Sequence, residues 1–186
     1  MFFKIFIFLL LFIKSSYAHE LRPAIANLNI YEKDNIINAT LSIRLNLEAI
    51  IAEVNMDHSN TEESKESDQY ENLRTMGAVE LLKKFNSKIT NLQNKIYLTS
   101  TNSNYSLALL NVDIPEVGNT EIIRDTIINF DIKNIKDEDL KFSWDKNLGS
   151  IILRVNSKSN EGLYSKLIES GDKSDWFSIT NKREER

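Results

Sequence analysis

Residues 39–47 alternate without interruption. Leu41, Ile43, Leu45 and Leu47 fall on one side, and Thr40, Ser42, Arg44 and Asn46 on the other. Successive side chains of a strand point to opposite faces, so this pattern specifies a strand with one face buried and one face wet. Residues 24–30 alternate in a looser way. The period then changes: Leu47, Ile50, Ile51 and Val54 lie at i, i+3, i+4 and i+7, the stripe of a short helix. Residues 55–69 contain almost nothing to bury and are expected to form a surface loop. A helical stretch follows, with Tyr70, Leu73, Leu81 and Phe85 on one side and Gly77 as a point where it can divide.

Beyond about residue 88 the strand signals return and persist. The segments 95–99, 105–114, 122–132, 140–144, 150–156, 162–168 and 174–179 are separated by stretches rich in Ser, Asn, Asp, Pro and Gly. This spacing predicts a mostly β domain, an antiparallel β-sandwich of immunoglobulin-like or jelly-roll-like type, with a short helical insertion at about 48–87. Trp144 alternates with Phe142 and Leu140 and is expected in the core. Asp145 should open a turn, and Gly149 should close it.

The opening of the chain has a different logic. Lys4 is followed by an unbroken apolar run from Ile5 to Ile13, then Lys14 and a Ser16-Tyr17-Ala18 site of the small-x-small type. This is the layout of a cleavable signal peptide over 1–18, and the run is well short of the roughly 20 apolar residues that span a bilayer. A single domain over 19–180 and a polar tail over 181–186 are expected to follow, in the periplasm or, alternatively, secreted. Losing Lys4 and Lys14 would move the formal charge from −4 to −6. Such a surface repels nucleic acid over most of its extent, and no lipid-spanning segment is expected after cleavage. Without a single cysteine, neither disulfides nor thiolate-bound zinc can stabilise the domain, so an apolar core must do so.

Several phrases together carry a likeness. They are His19-Glu20-Leu21-Arg22-Pro23-Ala24, Ile43-Arg44-Leu45-Asn46-Leu47-Glu48-Ala49, Tyr70-x-x-Leu73-Arg74, Trp144-Asp145-x-x-Leu148-Gly149-x-Ile151-x-Leu153-Arg154, and Tyr164-x-x-Leu167-x-x-x-Gly171-x-x-Ser174. The chain resembles the extracytoplasmic domain of HupE/UreJ-type membrane proteins, accessory to hydrogenase and urease, in a stand-alone form. The resemblance spans nearly all of the expected mature chain. It implies a connection with nickel or cobalt handling at a membrane. Permease activity is not implied, because no membrane helices follow the domain in this sequence, and no site residues are transferred.

One constellation suggests direct metal binding. After cleavage, His19 would carry a free α-amine beside its imidazole, a nitrogen pair suited to Cu or Ni. His58, the only other histidine, lies next to Asp57 in the acidic loop and could complete the site. Adding one residue ahead of His19 removes that chelate. Copper titration of the mature and extended forms should then differ by about tenfold or more in Kd, and equal affinities would exclude His19 as a ligand. Catalysis finds little footing. A Ser-His-Asp arrangement would have to draw on His19 or His58, no Gly-x-Ser-x-Gly elbow occurs, and five glycines leave no phosphate-cradling loop. The function expected from sequence is a non-catalytic exported interaction domain, associated with a metal-handling membrane or envelope partner. The alternative is a periplasmic Cu- or Ni-binding protein.

Overall fold

The computed structural model describes residues 22–56, 65–120, 122–157 and 160–179. Two long strands come first, β1 (Ala24–Lys33) and β2 (Ile36–Asn46). They are joined by Asp34 and Asn35, both at positive φ (54° and 60°). A two-residue hairpin turn of this hand follows the natural twist of the strands, and Asp and Asn are the non-glycine residues that best tolerate it. Four helices come next among the described residues: α1 (Leu47–Ala52), α2 (Ser67–Arg74), α3 (Ala78–Asn86) and α4 (Ile89–Gln93). The remaining strands are β3 (Ile96–Thr99), β4 (Asn104–Tyr105), β5 (Ala108–Asp113), β6 (Asp125–Ile135), β7 (Lys141–Trp144), β8 (Ile151–Ser157) and β9 (Asn160–Ile168), with a 3₁₀ turn at Lys146–Leu148.

The strands form a six-stranded sheet in the order β5-β6-β2-β1-β8-β9 and a three-stranded sheet in the order β4-β3-β7. In the larger sheet, registered rows cross four strands. Ile128, Ile43, Ala26 and Leu153 form one row, and Phe130, Leu41, Leu28 and Val155 the next. All eight are buried. Their polar or half-exposed neighbours, such as Ser42, Arg44, Asn129 and Arg154, take the other face, as period-two alternation requires. In the smaller sheet Ile96 pairs with Trp144 and Leu98 with Phe142, again all buried. These side chains, the inner rows of the larger sheet and the helical residues Tyr70, Leu73, Leu81, Phe85 and Leu92 belong to one continuous core.

The mostly β expectation therefore stands, but the larger sheet is mixed rather than wholly antiparallel. β1 and β8 run parallel, from Ala24 beside Ile151 to Ile30 beside Ser157. No hairpin dictates the direction of β8. More than a hundred residues separate the two strands, enough chain for the crossover that parallel neighbours need. The helical region also runs on through α4 to Gln93, past the expected end near residue 87. The helical stretch over 67–86 divides at Gly77, which caps α3 from an extended conformation (φ −63°, ψ 159°).

Candidate interaction site

The residues that sequence pointed to for metal, His19, Asp57 and His58, lie outside the described residues. Met56, just ahead of Asp57 in sequence, lies against Gly149. Gly149 adopts φ 77°, and a Cβ there would come within 2.7 Å of the Met56 Cβ. Glycine is required on both counts. Beside it, the buried Trp144 donates from Nε1 to the Gly149 carbonyl at 2.8 Å, and Asp145 accepts from the Asn147 amide at 2.9 Å. The turn expected around Trp144, Asp145 and Gly149 is thus built as anticipated, and its role is structural. Among the described residues, no group of three or more His, Cys, Asp or Glu side chains is placed to hold a metal ion.

The described residues concentrate their unusual chemistry elsewhere, where α1 to α3 meet the loop joining β5 to β6. The local cause begins at Asn46, the last residue of β2. Its Oδ1 accepts from the Ala49 amide at 3.1 Å and so caps α1, while its Nδ2 donates to the Tyr70 hydroxyl of α2 at 2.9 Å. Burial raises the Tyr70 phenol above its ordinary pKa, with the Asn46 bond a smaller opposing influence, so the hydroxyl stays protonated. Two residues on, Glu48 is 2% exposed. Nε and Nη2 of Arg124 both approach its Oε1 at 2.7 Å. Arg124 Nη1 donates to the carbonyls of Met76 at 3.1 Å and Pro115 at 3.2 Å. One guanidinium therefore ties α1, the α2–α3 turn and both ends of the β5–β6 loop together.

A second arginine adds to this anchor. Arg74, buried at the end of α2, donates from Nη2 to the Ile122 carbonyl at 3.2 Å and lies 5.4 Å over the Tyr70 ring. Glu116 accepts weakly from the Ala78 amide at 3.4 Å. The pair Glu48–Arg124 is not a symmetric fork, since both nitrogens converge on one oxygen and Glu48 Oε2 has no hydrogen-bond partner among the described residues. Such a pair fixes geometry more than it adds net stability. It is a positioning device, and what it positions is the loop after β5.

That loop and strand are exposed and apolar. Among the described residues, β5 forms one edge of the six-stranded sheet and is bonded to β6 alone. Leu109 and Leu110 on β5 and Val117 and Ile122 in the loop are four of the nine large apolar side chains exposed among the described residues, with Leu110 at 57% and Ile122 at 64%. Val79, another of the nine, opens α3 next to the Ala78 amide that Glu116 accepts from. No Lys, Arg or Pro interrupts Ala108–Asp113. Those are the residues that usually protect a sheet edge from pairing with another chain. A register irregularity between Leu109 and Asn111 is the edge's main deviation from regular pairing.

Neither Arg124 nor Glu48 is singled out by the sequence patterns above. The available signal is Glu48 set within the apolar run of Leu47, Ala49, Ile50 and Ile51, where a buried carboxylate has to find a cation. The chain matches no protein-family model and no curated protein.

Proposed function

We propose that this chain is an exported, non-catalytic interaction domain that docks an extended segment of a membrane or envelope protein along β5. The carrying observation is the clustering of exposed apolar side chains on an unprotected sheet edge, beside a loop pinned by a buried ion pair. An incoming strand would gain main-chain hydrogen bonds from β5 and place alternate side chains against Leu110 and its neighbours. Asp113 and the net charge of −4 favour an incoming segment flanked by basic residues. Export rests on the signal-like opening of the sequence. No helix of the described residues is long and apolar enough to cross a membrane. Association with metal handling rests on the resemblance to HupE/UreJ-type proteins. The sandwich reading rests on the shared core of the two sheets, with the smaller sheet and the helices covering one face of the larger.

A photo-crosslinking residue at position 110 of the full chain, expressed in the native host, should capture one dominant envelope protein. Leu110→Lys, which places a charge on the edge, should reduce complex formation at least about thirtyfold, the scale of an interface hot spot. Because Leu110 is exposed, the variant should keep its folding stability within about 0.5 kcal/mol. Undiminished capture by Leu110→Lys would remove β5 as the docking edge.

A further inference from the structure

The outward face of the small sheet holds a second assembled surface, remote in the topology from the β5 edge. β3 and β7 place Tyr97 beside Ser143 and Thr99 beside Lys141. The chain after β9 then returns along the free side of β7. Ser143 bridges to Lys173 and Leu140 to Phe177, and Phe142 donates its amide to the Ser174 hydroxyl at 2.9 Å. This return brings Trp176 against Lys141, whose Nζ lies 5.2 Å from the ring centroid. A hollow of about 460 Å³ lies over this face, with Tyr97, Lys141, Ser143, Lys146 and Lys173 among the residues around it.

Three properties of the hollow point to a ligand. Tyr97, which lines it, and Trp176, beside the lining Lys141, are each about half exposed, although the core beneath is filled by Leu98, Phe142 and Trp144. Folding alone does not require large aromatic rings at these positions. Lys141, Lys146 and Lys173 make no ion pair among the described residues. Of the two aspartates at the hollow, Asp145 is engaged by the amide and the side chain of Asn147, at 2.9 and 2.8 Å. In a chain of net charge −4, a hollow lined by three lysines against two aspartates, Asp145 and Asp172, is locally positive. Thr99 and Ser143, which carry hydroxyls, also line the hollow.

We propose that this hollow binds an acidic saccharide, a chain of pyranose units bearing carboxylates. The aromatic rings stack on the C–H faces of the sugar, the lysines meet its carboxylates, and the two hydroxyls meet its ring hydroxyls. An acidic peptide strand fits less well. One edge of the small sheet is taken by residues 173–177, and the other is a strand of two residues.

The purified full chain, titrated with tetragalacturonate, tests this by calorimetry and by tryptophan fluorescence, to which the exposed Trp176 responds while Trp144 stays buried. Expected are a Kd of about 1 mM or tighter and at least about tenfold weaker binding of neutral cellotetraose. Trp176→Ala should raise the Kd roughly tenfold, and so should the pair Lys141→Gln/Lys173→Gln, all with unchanged melting temperature. Leu110→Lys should bind as the parent does, which separates this site from the docking edge. Four outcomes overturn the proposal: no signal up to about 10 mM tetragalacturonate, equal binding of hexaglutamate, unaltered affinity in Trp176→Ala, or loss of binding in Leu110→Lys.

Discussion

Replacing Arg124 with alanine should lower folding stability by about 3–5 kcal/mol and the melting temperature by roughly 6–20 °C. The size follows from what remains behind. Glu48 is 2% exposed, and its Oε1 accepts from Arg124 Nε, with Nη2 paired to it by charge. Without the arginine, a carboxylate is stranded in the interior, where it must either stay charged at high cost or take up a proton. The variant also releases the carbonyls of Met76 and Pro115. Amide exchange should therefore accelerate in residues 75–78 and 114–120, ahead of the β strands. The paired replacement Glu48→Leu/Arg124→Met should recover most of the lost stability, because two apolar groups need no partners. If Arg124→Ala loses less than about 1 kcal/mol in urea melting, the carboxylate has access to water and the anchor is not a buried ion pair.

Phe130→Ala should be comparably severe, at about 3–5 kcal/mol. Phe130 is fully buried in β6 and stands in register with Leu41 on β2 and Leu109 on β5. Truncation opens a cavity in the middle of the sheet, which the neighbouring strands cannot close without breaking their own pairing. Because β6 is the one strand paired with β5 among the described residues, the loss should spread outwards. Capture through position 110 should decline in this variant even at temperatures where it remains folded. Chemical denaturation gives the stability change, and a loss under about 1.5 kcal/mol would mean that this part of the core repacks freely.

Much of the fold was legible because its signals are local. The alternation over 39–47 gave β2, and the change of period at Leu47 coincides with the Asn46 cap of α1. Tyr70, Leu73, Leu81 and Phe85 all proved to be buried, on two helices divided where Gly77 suggested. Trp144 went to the core because its strand neighbours alternate with it. Other features depend on distant segments and leave no local trace. The direction of β8 beside β1 is one. The stretch 174–179, expected to be a strand, is another: among the described residues it contributes an isolated bridge from Phe177 to Leu140, with Lys173 just before it bridging to Ser143, and the Ser174 side chain takes the place of a ladder partner at Phe142. The segment 105–114 reads as one strand but splits into β4 and β5, which belong to different sheets. The candidate interaction site was barely legible at all. Leucines at 109 and 110 look like core residues in sequence, and only the strand order shows that β5 has a single neighbour.

That strand order has a consequence for how the molecule is made. β1 is central, flanked by β2 and β8. A nascent chain can form the β1–β2 hairpin at once, but the other side of β1 stays unpaired until residues 151–157 emerge. Pairings so far apart in sequence raise contact order and slow folding. Closure of the sheet is therefore postponed almost to the end of synthesis, and until then the far side of β1 stays open to solvent and to other chains.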